Sequence, residues 1–157
     1  MSRAIHHIGL VVRDIERAAK YYTDIIGFKP WEAGIVTVQG KGVRILGLQI
    51  NKESHGKDFA IELFEPSGEV DNRFSRFLSE QGGGVSHIAI YTENFDAEVE
   101  FWRGKGCTVE YMENSFSYPG YTLRSAWIIP EHHDGSMPCL EFADVNSIPT
   151  FVGGKAV

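Results

Sequence analysis

The feature that most constrains this chain is an apolar, β-branched run with a histidine near its start, which occurs twice. The first run spans residues 5–12 and carries His7, and the second spans residues 86–91 and carries His87. Such runs are typical of buried strands. The two histidines are 80 residues apart, and similar patterns follow both. The sequence therefore predicts two copies of one structural unit.

Each copy is predicted to contain a strand, a helix and three further strands. Asp14 and Asn94 precede the helices as N-caps, and Gly27 and Gly106 follow them as stop signals. The second helix is one residue shorter, so the repeat step is expected to fall from 80 to 79 beyond it. We predict one domain over residues 1–157, made of βαβββ modules at about 1–68 and 83–145 that are joined by a helix at about 69–81.

Composition excludes several classes of function. The net charge is −6 and the lysines and arginines are scattered, which argues against a nucleic-acid partner. The N-terminus lacks the apolar core of a signal peptide, and no segment is long enough to span a bilayer. The two cysteines, Cys107 and Cys139, form no close-spaced motif. We therefore expect a cytoplasmic protein with no membrane partner.

Two glutamates repeat together with the histidines. Glu62 and Glu141 each stand in the middle of an apolar strand, 79 residues apart. One glutamate in a half-buried strand commonly faces water. Here, however, two glutamates stand at equivalent places of the repeat, and each is matched by a histidine in the first strand of its module. This pattern predicts that the four side chains converge on a shared metal. Imidazole and carboxylate are the ligands that divalent metals of intermediate softness select.

Several motifs carry a resemblance to a known family. They are His-Ile-Gly-Leu-Val-Val-x-Asp at the start of the chain, a helix that ends Tyr-Tyr-x-x-x-x-Gly-Phe at residue 28, Glu-Leu-Phe-Glu-Pro from Glu62, Gly-Val-Ser-His-Ile-Ala around His87, and Leu-Glu-Phe around Glu141. Together they resemble the vicinal oxygen chelate superfamily, which includes bacterial glyoxalase I, methylmalonyl-CoA epimerase, extradiol dioxygenases, and the fosfomycin and bleomycin resistance proteins.

The resemblance implies an α+β fold in which tandem βαβββ modules form a curved, half-barrel mixed sheet around a metal cleft. It implies metal ligands at His7, Glu62, His87 and Glu141, one divalent ion (nickel, cobalt, zinc, manganese or iron), and a homodimer. Since neighbouring strand residues point to opposite faces, His6 is then expected to be a surface residue or one that supports the ligands.

The four-ligand set favours one branch of the family. Relatives that resemble glyoxalase I or the epimerase use four protein ligands, whereas the dioxygenases and fosfomycin enzymes use two histidines and one glutamate. The resemblance therefore implies a metal-dependent lyase or isomerase that acts on a small substrate with vicinal oxygens through an enediolate or enolate. Glu141 or Glu62 would be the catalytic base. An iron(II) dioxygenase or fosfomycin-type transferase, and a metal-free binding domain, are the alternatives.

Three other features bear on the substrate. Arg44 stands near the place where the epimerase carries an acid, and it is either a ligand for a substrate anion or an exposed side chain. The aromatic stretch 116–121, with Tyr118 and Tyr121, is either a substrate-binding lid or a loop cluster. His132 and His133 lie in a long polar connection with no standard ligand spacing and are expected to be solvated.

Overall fold

The computed structural model describes residues 3–31, 34–38, 40–50, 60–112, 117–118, 121–122, 124–131, 137–147, 151–152 and 155–156. They form a mixed α+β fold, which confirms the predicted class. The strands are β1 Arg3–Val11, β2 Lys29–Pro30, β3 Val36–Val38, β4 Val43–Gln49, β5 Ala60–Pro66, β6 Gly84–Thr92, β7 Thr108–Tyr111, β8 Ser117–Tyr118, β9 Tyr121–Thr122, β10 Ser125–Ile129, β11 Cys139–Asp144, β12 Phe151–Val152 and β13 Lys155–Ala156.

The helices begin and end largely where their caps predict. Helix α1, Ile15–Lys20, starts at Asp14, whose carboxylate accepts a hydrogen bond from the backbone N–H of Arg17. It continues as a π-helix, Tyr21–Ile26, and ends at Gly27, which has a φ of 87°. Helix α2, Arg73–Gln81, has a capping box between Asn72 and Ser75. Helix α3, Phe95–Gly104, follows Asn94, whose side chain makes no capping hydrogen bond, contrary to the prediction.

The chain forms two compact units, residues 7–86 and residues 1–6 with 87–157. We call them the N-terminal and the C-terminal unit. In the N-terminal unit β5 is parallel to β1 and antiparallel to β4, and both β2 and β3 pair with β4. In the C-terminal unit β11 is parallel to β6 and antiparallel to β10, which pairs with β7. The same strand order therefore occurs in both units, as the repeat predicts.

In each unit, one face of the strands is buried against a helix. In the N-terminal unit Ile15 of α1 packs on Leu46, Leu48 and Leu63, all at most 3% exposed. In the C-terminal unit Phe95 and Val99 of α3 pack on β10 and β11, where Phe142 is 1% exposed. Since side chains alternate along a strand, Glu62 lies on the sheet face opposite to Leu63, and Glu141 on the face opposite to Phe142.

No helix within the described part of the chain is long and apolar enough to cross a membrane.

Candidate metal centre

In the N-terminal unit, His7 and Glu62 share the sheet face that points away from α1. His7 pairs with Ala60 and Gly9 with Glu62 in the parallel β1–β5 ladder, so the imidazole and the carboxylate are diagonal neighbours. Both side chains are buried, and His7 Nδ1 lies 3.6 Å from Glu62 Oε1. The small residues Gly9 and Ala60 stand directly opposite them and leave room on this face.

The C-terminal unit repeats this arrangement. His87 pairs with Cys139 and Ala89 with Glu141 in the parallel β6–β11 ladder, which again makes the histidine and glutamate diagonal neighbours. His87 is fully buried and Glu141 is 4% exposed. His87 Nε2 lies 3.5 Å from Glu141 Oε2. Each predicted ligand pair is therefore assembled within its own unit and in the same register.

The chemistry of both pairs fits a metal ion. Nitrogen and carboxylate ligands about 2.1 Å from one ion lie about 3.0–3.4 Å apart, slightly closer than the separations of 3.5 and 3.6 Å observed here. These separations are longer than a strong hydrogen bond. A buried carboxylate is costly to keep unless it is paired, hydrogen-bonded or bound to a metal. Buried His and Glu donors at this spacing are therefore suited to bind a divalent cation.

Arg44 has acidic partners from the chain itself. Its guanidinium makes a two-pronged contact with Glu16 of α1, one arm at 3.3 Å, and lies 2.6 Å from Glu65. Arg44 is directly opposite Glu65 in the β4–β5 ladder and on the α1 side of the sheet, whereas Glu62 is on the other side. Since the hypothesis of substrate binding requires Arg44 to face the ligands, Arg44 takes no part in the function proposed below.

The C-terminal unit carries a copy of this ion-pair cluster. Arg124 makes the same two-pronged contact with Asp96 of α3, one arm again at 3.3 Å, and lies 3.6 Å from Asp144. Both arginine side chains are 34% exposed. Arg124 lies 80 residues after Arg44, as Asp96 does after Glu16. Because the cluster recurs with the repeat and joins a helix to a strand each time, it is best explained as part of the fold.

The clusters shift the pKa of their acidic members. Hydrogen bonding to Arg44 lowers the pKa of Glu16, and hydrogen bonding to Arg124 lowers the pKa of Asp96. The bond to Glu16 in turn raises the pKa of Arg44. Since both carboxylates are exposed, solvent screens these pairs and their contribution to stability is small.

His6 is not a surface residue, contrary to one of the two expectations. It is 7% exposed and stacks on Tyr91, with ring centroids 3.9 Å apart and an interplanar angle of 13°. An imidazole held face to face with a phenol ring is well packed, which explains how a polar residue next to His7 is tolerated in a buried strand.

The other predicted substrate residues remain predictions. Tyr118 and Tyr121 lie in the short antiparallel pair β8–β9, but their side chains are not described. His132 and His133 lie outside the described residues.

Two tryptophans that no sequence pattern identified lie beside the glutamates. Trp127 is 3% exposed, stands directly opposite Glu141 and meets the His87 ring edge to face at 4.7 Å. Its counterpart in the other unit is Gly47, directly opposite Glu62 and 80 residues earlier. The indole of Trp31 lies over this glycine. The repeat pointed to neither residue, because the step of 79 expected beyond the first helix equates Gly47 with Ala126, and no residue pattern predicts which side chain covers a glycine.

Comparison with known proteins agrees with this architecture. A family model described as the glyoxalase/bleomycin resistance protein/dioxygenase superfamily matches residues 6–116. Mitochondrial methylmalonyl-CoA epimerase of Homo sapiens is 31% identical over 96 residues, which cover 60% of this chain and 49% of that protein. The Mus musculus epimerase is 27% identical over the same length. The chain thus spans about half the length of the curated relatives it matches.

Solved structures give the same result over most of the chain. A hypothetical protein of Bacillus halodurans C-125 superimposes with a TM-score of 0.70 at 24% identity, covering 91% of this chain and 94% of that one, which supports the fold alone. A variant of Streptomyces coelicolor methylmalonyl-CoA epimerase in complex with 2-nitronate-propionyl-CoA has a TM-score of 0.70 at 29% identity, covering 88% and 94%. These findings confirm the resemblance inferred from the motifs: the chain belongs to the glyoxalase/bleomycin resistance protein/dioxygenase superfamily.

Proposed function

We propose that this chain is a divalent-metal-dependent isomerase or lyase that removes a proton from carbon next to a carbonyl in a small substrate with vicinal oxygens. One observation carries the proposal: a buried histidine and a buried glutamate stand in the same register in both units. Two donors are fewer than the three or four protein ligands of a typical zinc site. We therefore assign His7, Glu62, His87 and Glu141 jointly to one ion.

The donor types support this assignment. Two neutral imidazoles and two carboxylates have a total charge of −2, which would neutralise a divalent ion, and six-coordinate metals would keep about two positions for substrate oxygens. Such an ion would act as a Lewis acid for two neighbouring oxygens, lowering the cost of negative charge on them. Ligand type does not distinguish nickel, cobalt, zinc, manganese and iron, so the identity of the metal is left to the experiment.

The chain's own residues would then move the proton. We assign the base to a carboxylate oxygen of Glu141 or Glu62, since a carboxylate in the same pocket reaches a substrate C–H at close range. His87 packs edge to face with the Trp127 ring and lies 3.5 Å from Glu141, so it is positioned to support that carboxylate. The burial of both glutamates would keep water away from the enolate that forms.

The relatives suggest a substrate class. One related structure is a methylmalonyl-CoA epimerase in complex with methylmalonyl-CoA and NH4+, 29% identical with a TM-score of 0.70. We therefore propose an acyl thioester or 2-oxo compound as substrate, with isomerisation favoured over lysis. A homodimer, which the family resemblance implies, and a cytoplasmic location, which was inferred from composition, remain part of the hypothesis.

Metal analysis tests the proposal first. Protein stripped with a chelator is reloaded anaerobically with Ni²⁺, Co²⁺, Zn²⁺, Mn²⁺ or Fe²⁺ in turn, and bound metal is counted by plasma mass spectrometry. We expect one ion per chain in the wild type and markedly weaker binding in Glu62→Ala and Glu141→Ala. Glu65→Ala is the matched control, because Glu65 lies on the same strand as Glu62 but faces α1. Wild-type protein that binds no divalent metal would refute the assignment.

Exchange of a substrate proton tests the chemistry. In D₂O, metal-loaded protein is expected to exchange the α-proton of methylmalonyl-CoA or convert the hemithioacetal of methylglyoxal and glutathione, as followed by NMR. Loss of exchange in Glu141→Gln or Glu62→Gln would identify the base. Oxygen consumption with catechols and Fe²⁺, with Glu62→Ala still active, would instead favour the dioxygenase.

A further inference from the structure

We propose that Trp31 is a specificity-determining residue of this site, and that its indole packs against a flat, apolar group of the substrate. The inference rests on the proposed function, because it assigns the surface beside Glu62. All the residues that carry it, namely Trp31, Gly47 and Glu62, belong to the N-terminal unit.

Trp31 is held over Gly47 by both backbone and ring. The pairs Lys29 with Gln49 and Pro30 with Leu48 lead to Trp31 opposite Gly47, and the Trp31 backbone N–H donates to the Gly47 carbonyl at 2.9 Å. A Cβ placed on Gly47 would lie 2.2–2.4 Å from Cδ2, Cε2 and Cε3 of the indole. Cδ2 and Cε2 form the bond shared by the two rings, and Cε3 is bonded to Cδ2. The centre of the ring system therefore covers the glycine.

The same position faces the candidate site. Gly47 is directly opposite Glu62 in the β4–β5 ladder, and residues directly opposite each other share a face of the sheet. The direction in which a side chain on Gly47 would point is therefore the direction of the Glu62 carboxylate. Because the indole occupies that direction, it forms a wall next to Glu62. Gly47 is buried, and it must be glycine for reasons of space.

The equivalent indole in the other unit has a different environment. Trp127 is 3% exposed and contacts both His87 and the sulfur of Met112, so its surface is used in holding a proposed ligand. Trp31 is only half-buried. The two units thus place an indole beside each glutamate, and Trp31 is the less buried of the two.

The ring determines the chemistry of its ligand. An indole face favours flat aromatic or conjugated groups and apolar chains, and it offers no charge with which to bind an anion. We therefore expect the proposed substrate to carry an apolar or planar group beside its two oxygens. A substrate whose neighbouring group is a second carboxylate would gain nothing from this contact.

Two hydroxamates test the inference directly. Acetohydroxamate and benzohydroxamate both present two neighbouring oxygens to a metal, and only the second carries a flat ring. Their Kd values are measured by calorimetry on Zn²⁺-loaded wild type, Trp31→Leu, Trp31→Phe and Gly47→Ala. We expect the Kd of acetohydroxamate divided by the Kd of benzohydroxamate to fall by about three- to tenfold in Trp31→Leu, which is the size of one aromatic contact. The affinities for acetohydroxamate and Zn²⁺ should stay nearly unchanged.

The other variants show whether a change in the Kd ratio comes from the Trp31 indole or from altered folding. Gly47→Ala places a methyl group where the ring lies, so it should cause the same loss by displacing the indole, and Trp31→Phe should give an intermediate ratio. Trp102→Phe, in α3 of the other unit, is the control and should leave the ratio unchanged. Unaltered ratios in variants that still bind Zn²⁺ would overturn the role of Trp31 alone. Failure of both hydroxamates to bind Zn²⁺-loaded wild type would overturn the proposed function as well.

Discussion

Replacement of Glu62 by leucine is expected to separate stability from metal binding. Glu62 is 5% exposed and lies in an apolar strand, so the metal-free protein must keep a carboxylate away from water. Leucine has a similar volume and needs no polar partner. His7 beside it is able to remain neutral, so the substitution leaves no unpaired charge. We therefore expect metal-free Glu62→Leu to fold at least as stably as metal-free wild type.

The burial of Glu62 determines the expected Tm of the metal-free variant, and mass action determines the rise in Tm when metal binds. Because leucine removes the cost of keeping a carboxylate out of water, the metal-free variant should have a Tm equal to or above that of metal-free wild type. A metal at a hundred times its Kd stabilises the wild type by about 2.7 kcal/mol. For a chain of this length that increment corresponds to a rise in Tm of about 5–10 °C. Glu62→Leu should show no such rise.

Thermal unfolding followed by circular dichroism, with EDTA and with saturating Zn²⁺ or Ni²⁺, measures both quantities. Glu65→Leu is the matched control: it loses the contact to Arg44 at 2.6 Å, so its Tm should fall in both conditions while the metal-induced rise persists. If Glu62→Leu keeps the full metal-induced rise, Glu62 is not a ligand. If its metal-free Tm falls sharply, the carboxylate stabilises the fold and the reasoning about its burial is wrong.

Three further substitutions test the other assignments. His7→Ala should weaken metal binding at least tenfold, as titrated by calorimetry, whereas His6→Ala should disturb only its ring stack; equal losses would mean that the histidines were assigned wrongly. Arg44→Met should lower Tm at neutral pH, and the difference from wild type should shrink as the pH falls below the ordinary pKa of glutamate, about 4.3, and vanish below the lowered pKa of Glu16. The reason is that the hydrogen bond from Arg44 stabilises only the ionised form of Glu16, which is why it lowers the pKa of that carboxyl. A difference in Tm that persists at pH 2 would contradict this. Gly83→Ala should lower the free energy of unfolding, measured by urea titration, by about 1–3 kcal/mol. The reason is that Gly83 has a φ of 103° and that a Cβ there would lie 2.9 Å from the carbonyl oxygen of Val11 in β1. An unchanged midpoint would show that the turn relaxes.

The repeat made much of the candidate site predictable. Because it equates His7 with His87 and Glu62 with Glu141, it predicted two histidine–glutamate pairs, and both occur in the same register. The register departs from the prediction in one strand. Gly47 and Trp127 are equivalent at a step of 80, although a constant step of 79 was expected beyond the first helix. Periodicity identifies strands well, but it does not fix where single residues enter the loops between them.

Arg44 was harder to place from sequence because its partners are distant along the chain. Glu16 lies in a helix and Glu65 at the end of a strand, and neither spacing is characteristic of an ion pair. The copy formed by Arg124 offered a signal, since an acidic residue of the preceding helix recurs with it at the same step of 80 residues, Glu16 with Asp96. The first of the three further strands is also interrupted: β2 and β3 pair separately with β4, and Trp31 stands directly after β2.

The π-helix after α1 explains how the two units differ in length without losing their register. Twelve residues separate Asp14 from Gly27, but only eleven separate Asn94 from Gly106. A π-helix accommodates an additional residue by widening one turn, so the segment still ends in a left-handed glycine. The extra residue is absorbed on the helix side of the sheet, on the face opposite to Glu62. Insertions in this helix should therefore be tolerated in engineering or in evolution, whereas an insertion of one residue in β1 or β5 would turn a ligand to the wrong face.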